Sequence, residues 1–310
     1  MRAYPQRLSP LFLSLVAFLL IIACTNSPPE TPSLRVLPEP NYLATNSPPQ
    51  KTHYLGQTEP GAYPSRFAYG MVTGSLHSVP VFTPDNREVY WAQQGAKILR
   101  SRLENGEWKV PETINFSSSL SDYRDPFISP SGEKLFFLSK GYLPNSSLPE
   151  KENIWYVERT GTGWGRPIPL DERVNSFSMH WQISVAANGN LYFGATADGG
   201  DIYVSRYSGG DYGIPEKLGE TVNTKLMEIT PFIAADESYL IFTRFDSGNG
   251  TPSLYVSLAE ENGGWGKALP VDRIQYGLCP IVTRDGKYLL FLSSPSSVSW
   301  MTMEFLHDQH

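Results

Sequence analysis

Cysteine, excess positive charge and long hydrophobic runs are all scarce in this 310-residue chain. Lys and Arg number 25 against 31 Asp and Glu, a formal net charge of −6, so nothing in the composition indicates nucleic-acid binding, and we expect none. No phosphate-binding glycine loop, Cys-x-x-Cys pair, His-Glu-x-x-His motif or Gly-x-Ser-x-Gly elbow occurs. The sequence therefore offers no short motif for the enzyme classes that those patterns mark.

The amino terminus has the pattern of an export signal. Arg2 and Arg7 supply positive charge, and the apolar run from Leu11 to Ile22 is shorter than the roughly 18 residues that a membrane-spanning helix needs. The run ends in Ala23-Cys24, which resembles the bacterial lipobox, in which the cysteine becomes the lipidated first residue. The alternative is an ordinary export signal with a chance cysteine.

We predict a signal peptide in residues 1–23 and lipidation of Cys24. Residues 24–52 are rich in Pro, Ser, Thr and Asn and have little to bury, which is typical of a disordered tether. The predicted head, residues 53–310, would be a monomer held at a membrane. We prefer the outer membrane, with the head facing the periplasm. Cys279, the second cysteine, lies in an apolar run, where we expect a small buried side chain without a disulfide.

One hairpin pattern recurs along the head. In each copy an apolar run, a short polar turn and a second apolar run follow each other, and the period is roughly 50 residues. The copies begin at Val79, Asp125, Ile183, Thr230 and Cys279. Such a period is the signature of a repeat architecture.

Four of the copies continue with a third alternating run, a Gly-rich turn and a proline-marked segment. Four short antiparallel strands per repeat are typical of β-propeller blades. The fifth copy has three strands before the chain stops, and the proline-marked segment from Tyr54 to Gly70 precedes the first copy without a hairpin. We predict an all-β, five-bladed propeller in which that segment pairs with the last blade, with six blades as the alternative.

Two kinds of residue recur after the third strand, the first at the Gly-rich turn and the second within the proline-marked segment. Aromatic residues follow the Gly-rich turns, and they either form a surface ring for stacking sugars or pack between blades; their repetition favours packing. They are Trp108, Trp164, Tyr212 and Trp265. Asparagines follow at equivalent places, and we interpret them as turn residues that bond their own backbone. They are Asn115, Asn175 and Asn223.

The hairpins resemble the WD-like repeat of TolB-type β-propellers, whose inner strands carry a proline, an aromatic residue and an Asp-Gly turn. Asp285-Gly286 matches that turn, and Ser131-Gly132 and Asn188-Gly189 nearly match it. Asp85-Asn86 and Asp236-Glu237 depart further. The resemblance extends from about Tyr54 to Phe305. It implies the fold and says little about activity, because propellers carry many unrelated functions.

Residues at the start of each repeat should meet at the central channel. These candidates for binding are His77, Asp125, His180, Gln182 and Glu228. Two imidazoles and two carboxylates, from His77, Asp125, His180 and Glu228, could hold a divalent cation. The alternative is a hydrogen-bonded, water-filled channel lining, which we favour. If the protein is a glycosidase, Asp125 and Glu228 would be its acid and base or nucleophile.

The leading interpretation is a non-catalytic binding or scaffolding module of the cell envelope, with an envelope protein or glycan as its partner. The alternative is a carbohydrate-active enzyme or a sugar-binding lectin that uses the channel face. The loop after Lys140 is long and unrepeated, and such loops often carry binding.

Overall fold

The computed structural model describes residues 53–93, 95, 97–117, 120–141, 151–161, 163–177, 181–196, 199–245 and 250–309. The predicted signal peptide, Cys24, the tether, His180 and most of the loop after Lys140 lie outside these residues. Within the described part, no helix has the length and apolar character that crossing a membrane requires.

Five antiparallel sheets form the blades of a propeller, numbered I to V along the chain. Strand β1 (Ser65–Arg66) comes first in the chain but belongs to blade V. Blade I contains β2 (Val81–Phe82), β3 (Glu88–Gln93), β4 (Lys97–Glu104), β5 (Glu107–Trp108) and β6 (Glu112–Ile114). Blade II contains β7 (Ser121–Ile128), β8 (Lys134–Gly141), β9 (Lys151–Thr160), β10 (Gly163–Trp164) and β11 (Ile168–Pro169). The short helix α1 (Glu172–Asn175) follows.

The remaining blades repeat this order. Blade III contains β12 (Ser184–Val185), β13 (Leu191–Ala195), β14 (Asp201–Ser205) and, after a small ribbon of β15 (Tyr207–Ser208) and β16 (Asp211–Tyr212), β17 (Glu216–Lys217). Blade IV contains β18 (Met227–Ile233), β19 (Tyr239–Phe245), β20 (Pro252–Leu258) and β21 (Leu269–Pro270). Blade V contains β22 (Leu278–Val282), β23 (Tyr288–Ser294) and β24 (Ser297–Thr302) beside β1. Single 3-10 segments cover His53–Gly56 and Met303–Gln309.

The ring closes as the sequence predicts. Ser65 in β1 lies opposite Trp300 in β24, so the amino-terminal strand supplies the missing outer strand of blade V. The amide of Phe67 then donates to the carbonyl of Val298 at 2.9 Å, and the Phe67 ring packs edge-on against Trp300. Both side chains are fully buried. This pairing joins the first and last strands of the propeller in one sheet and closes the ring. The predicted count of five blades is confirmed.

The innermost strands share a backbone irregularity where they enter the channel. Asp125, Gln182, Thr230 and Cys279 occupy the same repeat position and have φ values of 45°, 50°, 50° and 53°. In blades II, IV and V the pairing with the second strand shifts register there. Such bulges redirect side chains, and here they occur where the predicted channel residues lie.

The turns between the first two strands of each blade also share one conformation. The second turn residue has a positive φ in every blade: Asn86, Gly132, Gly189, Glu237 and Gly286. Asp85-Asn86 and Asp236-Glu237 therefore form the same turn despite departing from the Asp-Gly pattern. The strained backbone at Glu237 is offset by its carboxylate, which accepts hydrogen bonds from Asn188, Asn190 and Tyr192 of blade III.

Two of the four recurring aromatic residues pack between blades. Trp164 of blade II donates its indole N–H to the hydroxyl of Tyr90 in blade I at 2.9 Å. Trp265 of blade IV lies edge-on to Tyr192 of blade III. These contacts confirm the packing interpretation for both tryptophans.

Two of the recurring asparagines are buried, and their side chains hydrogen-bond to the backbone of two neighbouring segments. Asn175 accepts from the amide of Ile154 and donates to the carbonyls of Ile154 and Leu170. Asn223 makes the equivalent three bonds in blade III. They therefore tie the third strand to the fourth-strand segment, which local sequence did not predict. Asn115 is exposed instead.

Candidate functional site

Blades I and II place a histidine and an aspartate against each other at the channel. His77 precedes the innermost strand of blade I, and Asp125 lies at the bulge of β7. The imidazole Nδ1 lies 2.7 Å from Oδ1 of Asp125. The carboxylate is buried, with 4% of its side chain exposed, whereas 34% of the His77 side chain is exposed. The pair therefore presents its imidazole to solvent and keeps its carboxylate inside.

Two further charged groups complete this arrangement. Nη1 of Arg124 lies 3.5 Å from Nε2 of His77 and 3.8 Å from Oε2 of Glu152. Arg124 directly precedes Asp125 in β7, and Glu152 lies near the start of β9. We call His77, Arg124, Asp125 and Glu152 the channel-mouth cluster. It brings an imidazole, a guanidinium and two carboxyl groups together at one end of the channel.

The cluster perturbs the protonation of its members. The negative charge of Asp125 raises the pKa of His77 above its ordinary 6.5, against the opposing effect of burial. Burial raises the pKa of Glu152, and the charge of Asp125 adds to that effect, while Arg124 and His77 oppose it. A neutral imidazole with its proton on Nδ1 can accept from Arg124 through Nε2, but a protonated imidazole cannot. The protonation state of His77 thus determines whether Nε2 can accept a hydrogen bond from Arg124.

The other residues at the channel bulges form hydrogen bonds between blades. The amide nitrogen of Gln182 donates to the carbonyls of Pro231 and Pro280, so blade III is tied to blades IV and V across the channel. The amide of Cys279 donates to Thr230 Oγ1 at 3.3 Å, and its thiol lies 3.7 Å from the carbonyl oxygen of His77. Cys279 is a buried free thiol whose pKa burial raises, as expected for a small core residue.

Glu228 is placed differently from the prediction that groups it with Asp125. It is fully buried, and Oε1 lies 2.7 Å from Nε of Arg244 in the adjacent strand β19. The amide and hydroxyl of Thr224 donate to its two oxygens. Arg244 also donates to the carbonyl of Val222. Both carboxylate oxygens are thus engaged within blade IV.

Within the described part of the chain, no three His, Cys, Asp or Glu side chains lie close enough together to hold a metal ion. His180, the second imidazole of the predicted cation site, lies outside the described residues. The cation site and the glycosidase pair both stay predictions.

Sequence reasoning missed Arg124, Glu152 and Arg244. Arg124 directly precedes Asp125 in the sequence, and Arg244 pairs with Glu228. The sequence shows that each arginine lies in a strand, but it does not show which neighbouring side chain the arginine contacts. Glu152 stands at the end of the long loop that the sequence singled out. The sequence signal that could have identified Glu152 is its position at the end of an unrepeated insertion, directly before the alternating run of a strand that every repeat contains.

No protein-family model matches this chain, and no curated protein does either. Among solved structures, the chain is similar to an endo-arabinase from Bacteroides thetaiotaomicron, with 13% sequence identity, coverage of 80% of this chain and 98% of that chain, and a TM-score of 0.51. An α-L-arabinofuranosidase from Lactobacillus brevis gives 11% identity, coverage of 74% and 90%, and a TM-score of 0.49.

A puromycin-hydrolyzing peptidase from Mycobacterium tuberculosis gives 16% identity, coverage of 69% of this chain and a TM-score of 0.44; the matched region spans 34% of the peptidase. At 13% identity, the likeness to the endo-arabinase shows the fold alone, a β-propeller.

Proposed function

We propose that this protein is a binding module of the cell envelope and that its partner, an envelope protein or glycan, contacts the channel-mouth cluster. The observation that carries the proposal is that His77, Arg124 and Glu152 are partly exposed ionisable groups at one point of an otherwise repeated scaffold. Repeated residues build the blades, whereas Arg124 and Glu152 have no equivalents of the same type at the described repeat positions. His180, at the position of His77 in the third repeat, lies outside the described residues.

The charge of the cluster favours a partner with polar or anionic groups. His77 and Arg124 offer N–H donors toward solvent, and Glu152 offers acceptors beside them. Arg124 lies in the innermost strand β7, Glu152 lies in β9, and the buried Asp125 holds the His77 ring, so part of the arrangement is set before binding and less conformational entropy is lost on association. Of the predicted glycosidase pair, Glu228 already has both oxygens engaged by Arg244 and Thr224, so it is not a free second carboxylate for Asp125.

The position of the module in the cell is part of the proposal. A lipid on Cys24 would hold the head at a membrane, with residues 24–52 as a spacer, and we prefer the outer membrane facing the periplasm. Metabolic labelling with an alkyne fatty acid should mark the wild-type chain and not Cys24→Ser. Labelling of both proteins alike would contradict the anchor.

Binding is tested with the full chain on isolated envelope material. Wild-type protein should co-sediment with purified sacculi or retain a solubilised envelope protein, and H77Q combined with R124Q should reduce the bound fraction at least about tenfold, which corresponds to 1.4 kcal/mol. Arg87→Gln, an exposed arginine elsewhere on the propeller, is the matched control. Equal binding by all three proteins would contradict the proposed contact surface.

The alternative is a carbohydrate-active enzyme or a lectin at the same face. One observation favours catalysis: Asp125 holds the Nδ1 side of His77, which is how an imidazole is oriented to accept a proton through Nε2. A panel of aryl glycosides and polysaccharides separates the two functions. Turnover by the wild-type chain that is lost in Asp125→Asn would replace the binding proposal with the enzymatic one.

A further inference from the structure

The opposite end of the channel contains one arginine that reaches across it. Arg284 lies in the turn after β22, in blade V. Its Nη2 donates to the carbonyl of Ser129 at 2.6 Å and lies 3.4 Å from the carbonyl of Ile128, both in blade II. Blade I separates blades V and II in the ring, so the side chain must extend over the channel opening to make these contacts.

The equivalent positions in the other blades carry small or apolar residues: Pro84, Pro130, Ala187 and Ala235. These turns meet around the axis. Ala187 donates its amide to the carbonyl of Ala235 at 2.7 Å, and a methyl group added at Gly132 would lie 3.0 Å from Pro84. Arg284 is therefore the single charged residue in a ring of five equivalent positions.

Within the part of the chain that the structure describes, no carboxylate compensates this guanidinium. Among the described residues Arg284 forms no ion pair, and both of its hydrogen bonds come from Nη2. Burial alone lowers its pKa to about 10, with no contribution from a neighbouring charge, so it stays ionised at neutral pH. A partly buried cation without a counter-charge is costly, and bound anions relieve that cost.

We propose that this end of the channel is a binding site for a small oxyanion, held by the Nε and Nη1 donors of Arg284. A guanidinium presents its N–H groups in a planar fork that matches the oxygens of phosphate, sulfate or carboxylate. The equivalent turn residues are exposed at Pro84, Ala187 and Ala235 and half-buried at Pro130, and their side chains contribute no competing acceptor. The site lies at the other end of the channel from the channel-mouth cluster and is independent of the proposed partner binding.

Thermal unfolding of the full chain tests the site, with inorganic phosphate titrated against chloride at constant ionic strength. Phosphate at several times its Kd should raise Tm of the wild-type protein by about 2–4 °C, and the rise should saturate. Arg284→Met should lose the response. Arg284→Gln should also lose it, while keeping an amide that can still donate to the Ser129 carbonyl.

Arg87→Gln is the control, since Arg87 is an exposed arginine in the corresponding turn region of blade I. It should respond as the wild type does. A rise of equal size in the neutral Arg284 variants, or none in the wild type, would overturn the proposal. If neither neutral variant folds, Arg284→Lys decides: it should bind phosphate at least about threefold more weakly by calorimetry, because an ammonium lacks the fork, and equal affinity would overturn the site.

Discussion

His77 and Glu228 occupy the same repeat position in blades I and IV, but their environments differ. Glu228 finds its partner, Arg244, within its own blade, and the two side chains are 0% and 10% exposed. His77 finds its partner, Asp125, in the next blade, and its imidazole faces solvent. A pair made within one blade becomes part of that blade's interior. A pair made between blades lies at the channel, where a partner molecule can reach it.

Breaking the buried pair should have the largest effect. Glu228→Gln leaves the Arg244 guanidinium buried without its counter-charge, so the free energy of unfolding should fall by about 3–5 kcal/mol. Urea denaturation measures the change. Glu216→Gln, at an exposed carboxylate in blade III, should stay within about 0.5 kcal/mol of the wild type. A loss below about 1 kcal/mol in Glu228→Gln would show that the buried pair stabilises the fold no more than an exposed one does.

Breaking the pair between blades should cost less stability and change the chemistry of the imidazole. Asp125→Asn removes a charged hydrogen bond to His77, and the free energy of unfolding should fall by about 1–3 kcal/mol. The pKa of His77 should fall as well, because the Asp125 charge is the largest cause of its rise. An NMR titration of the His77 ring proton measures this shift. An unchanged pKa would show that the pair does not form in solution.

The pair of His77 and Asp125 should make the stability of the protein depend on pH. The pKa of His77 is raised in the folded state, so its contribution to stability is fully present below the unfolded value of about 6.5. That contribution is lost as the pH rises through the folded pKa. Urea denaturation from pH 5.5 to 9 should therefore show a decline in wild type that is weaker in Asp125→Asn. Arg124, Asp125 and Glu152 are the charged groups facing His77.

The smallest effect is expected at Glu152. Its folded pKa is raised by burial and by Asp125, and its contact with Arg124 is long, at 3.8 Å. Glu152→Gln should therefore raise the free energy of unfolding at pH 7 slightly, by no more than about 1 kcal/mol. Glu133→Gln, at an exposed turn position, serves as the control and should show no change. A clear loss of stability in Glu152→Gln would indicate that Arg124 depends on this carboxylate.

The sequence by itself determined the scaffold of this protein. The spacing of apolar runs, turns and prolines fixed five repeats, and the missing outer strand of the fifth repeat required closure by the segment before the first. Both follow from local chemistry, because each strand must alternate its faces and each turn needs residues that tolerate its backbone. The burial of Cys279 and the packing of Trp164 and Trp265 were predictable for the same reason.

Only the tertiary structure decided which charged side chains meet. Their places at the starts of the repeats predicted that His77, Asp125 and Glu228 all point to the channel. The pairing of Glu228 with Arg244 and the approach of Arg124 and Glu152 to His77, however, depend on distances between strands. Arg284 likewise reaches blade II across the ring. Contacts between residues so far apart in the chain are set by the assembled blades, and a single sequence carries no measure of them.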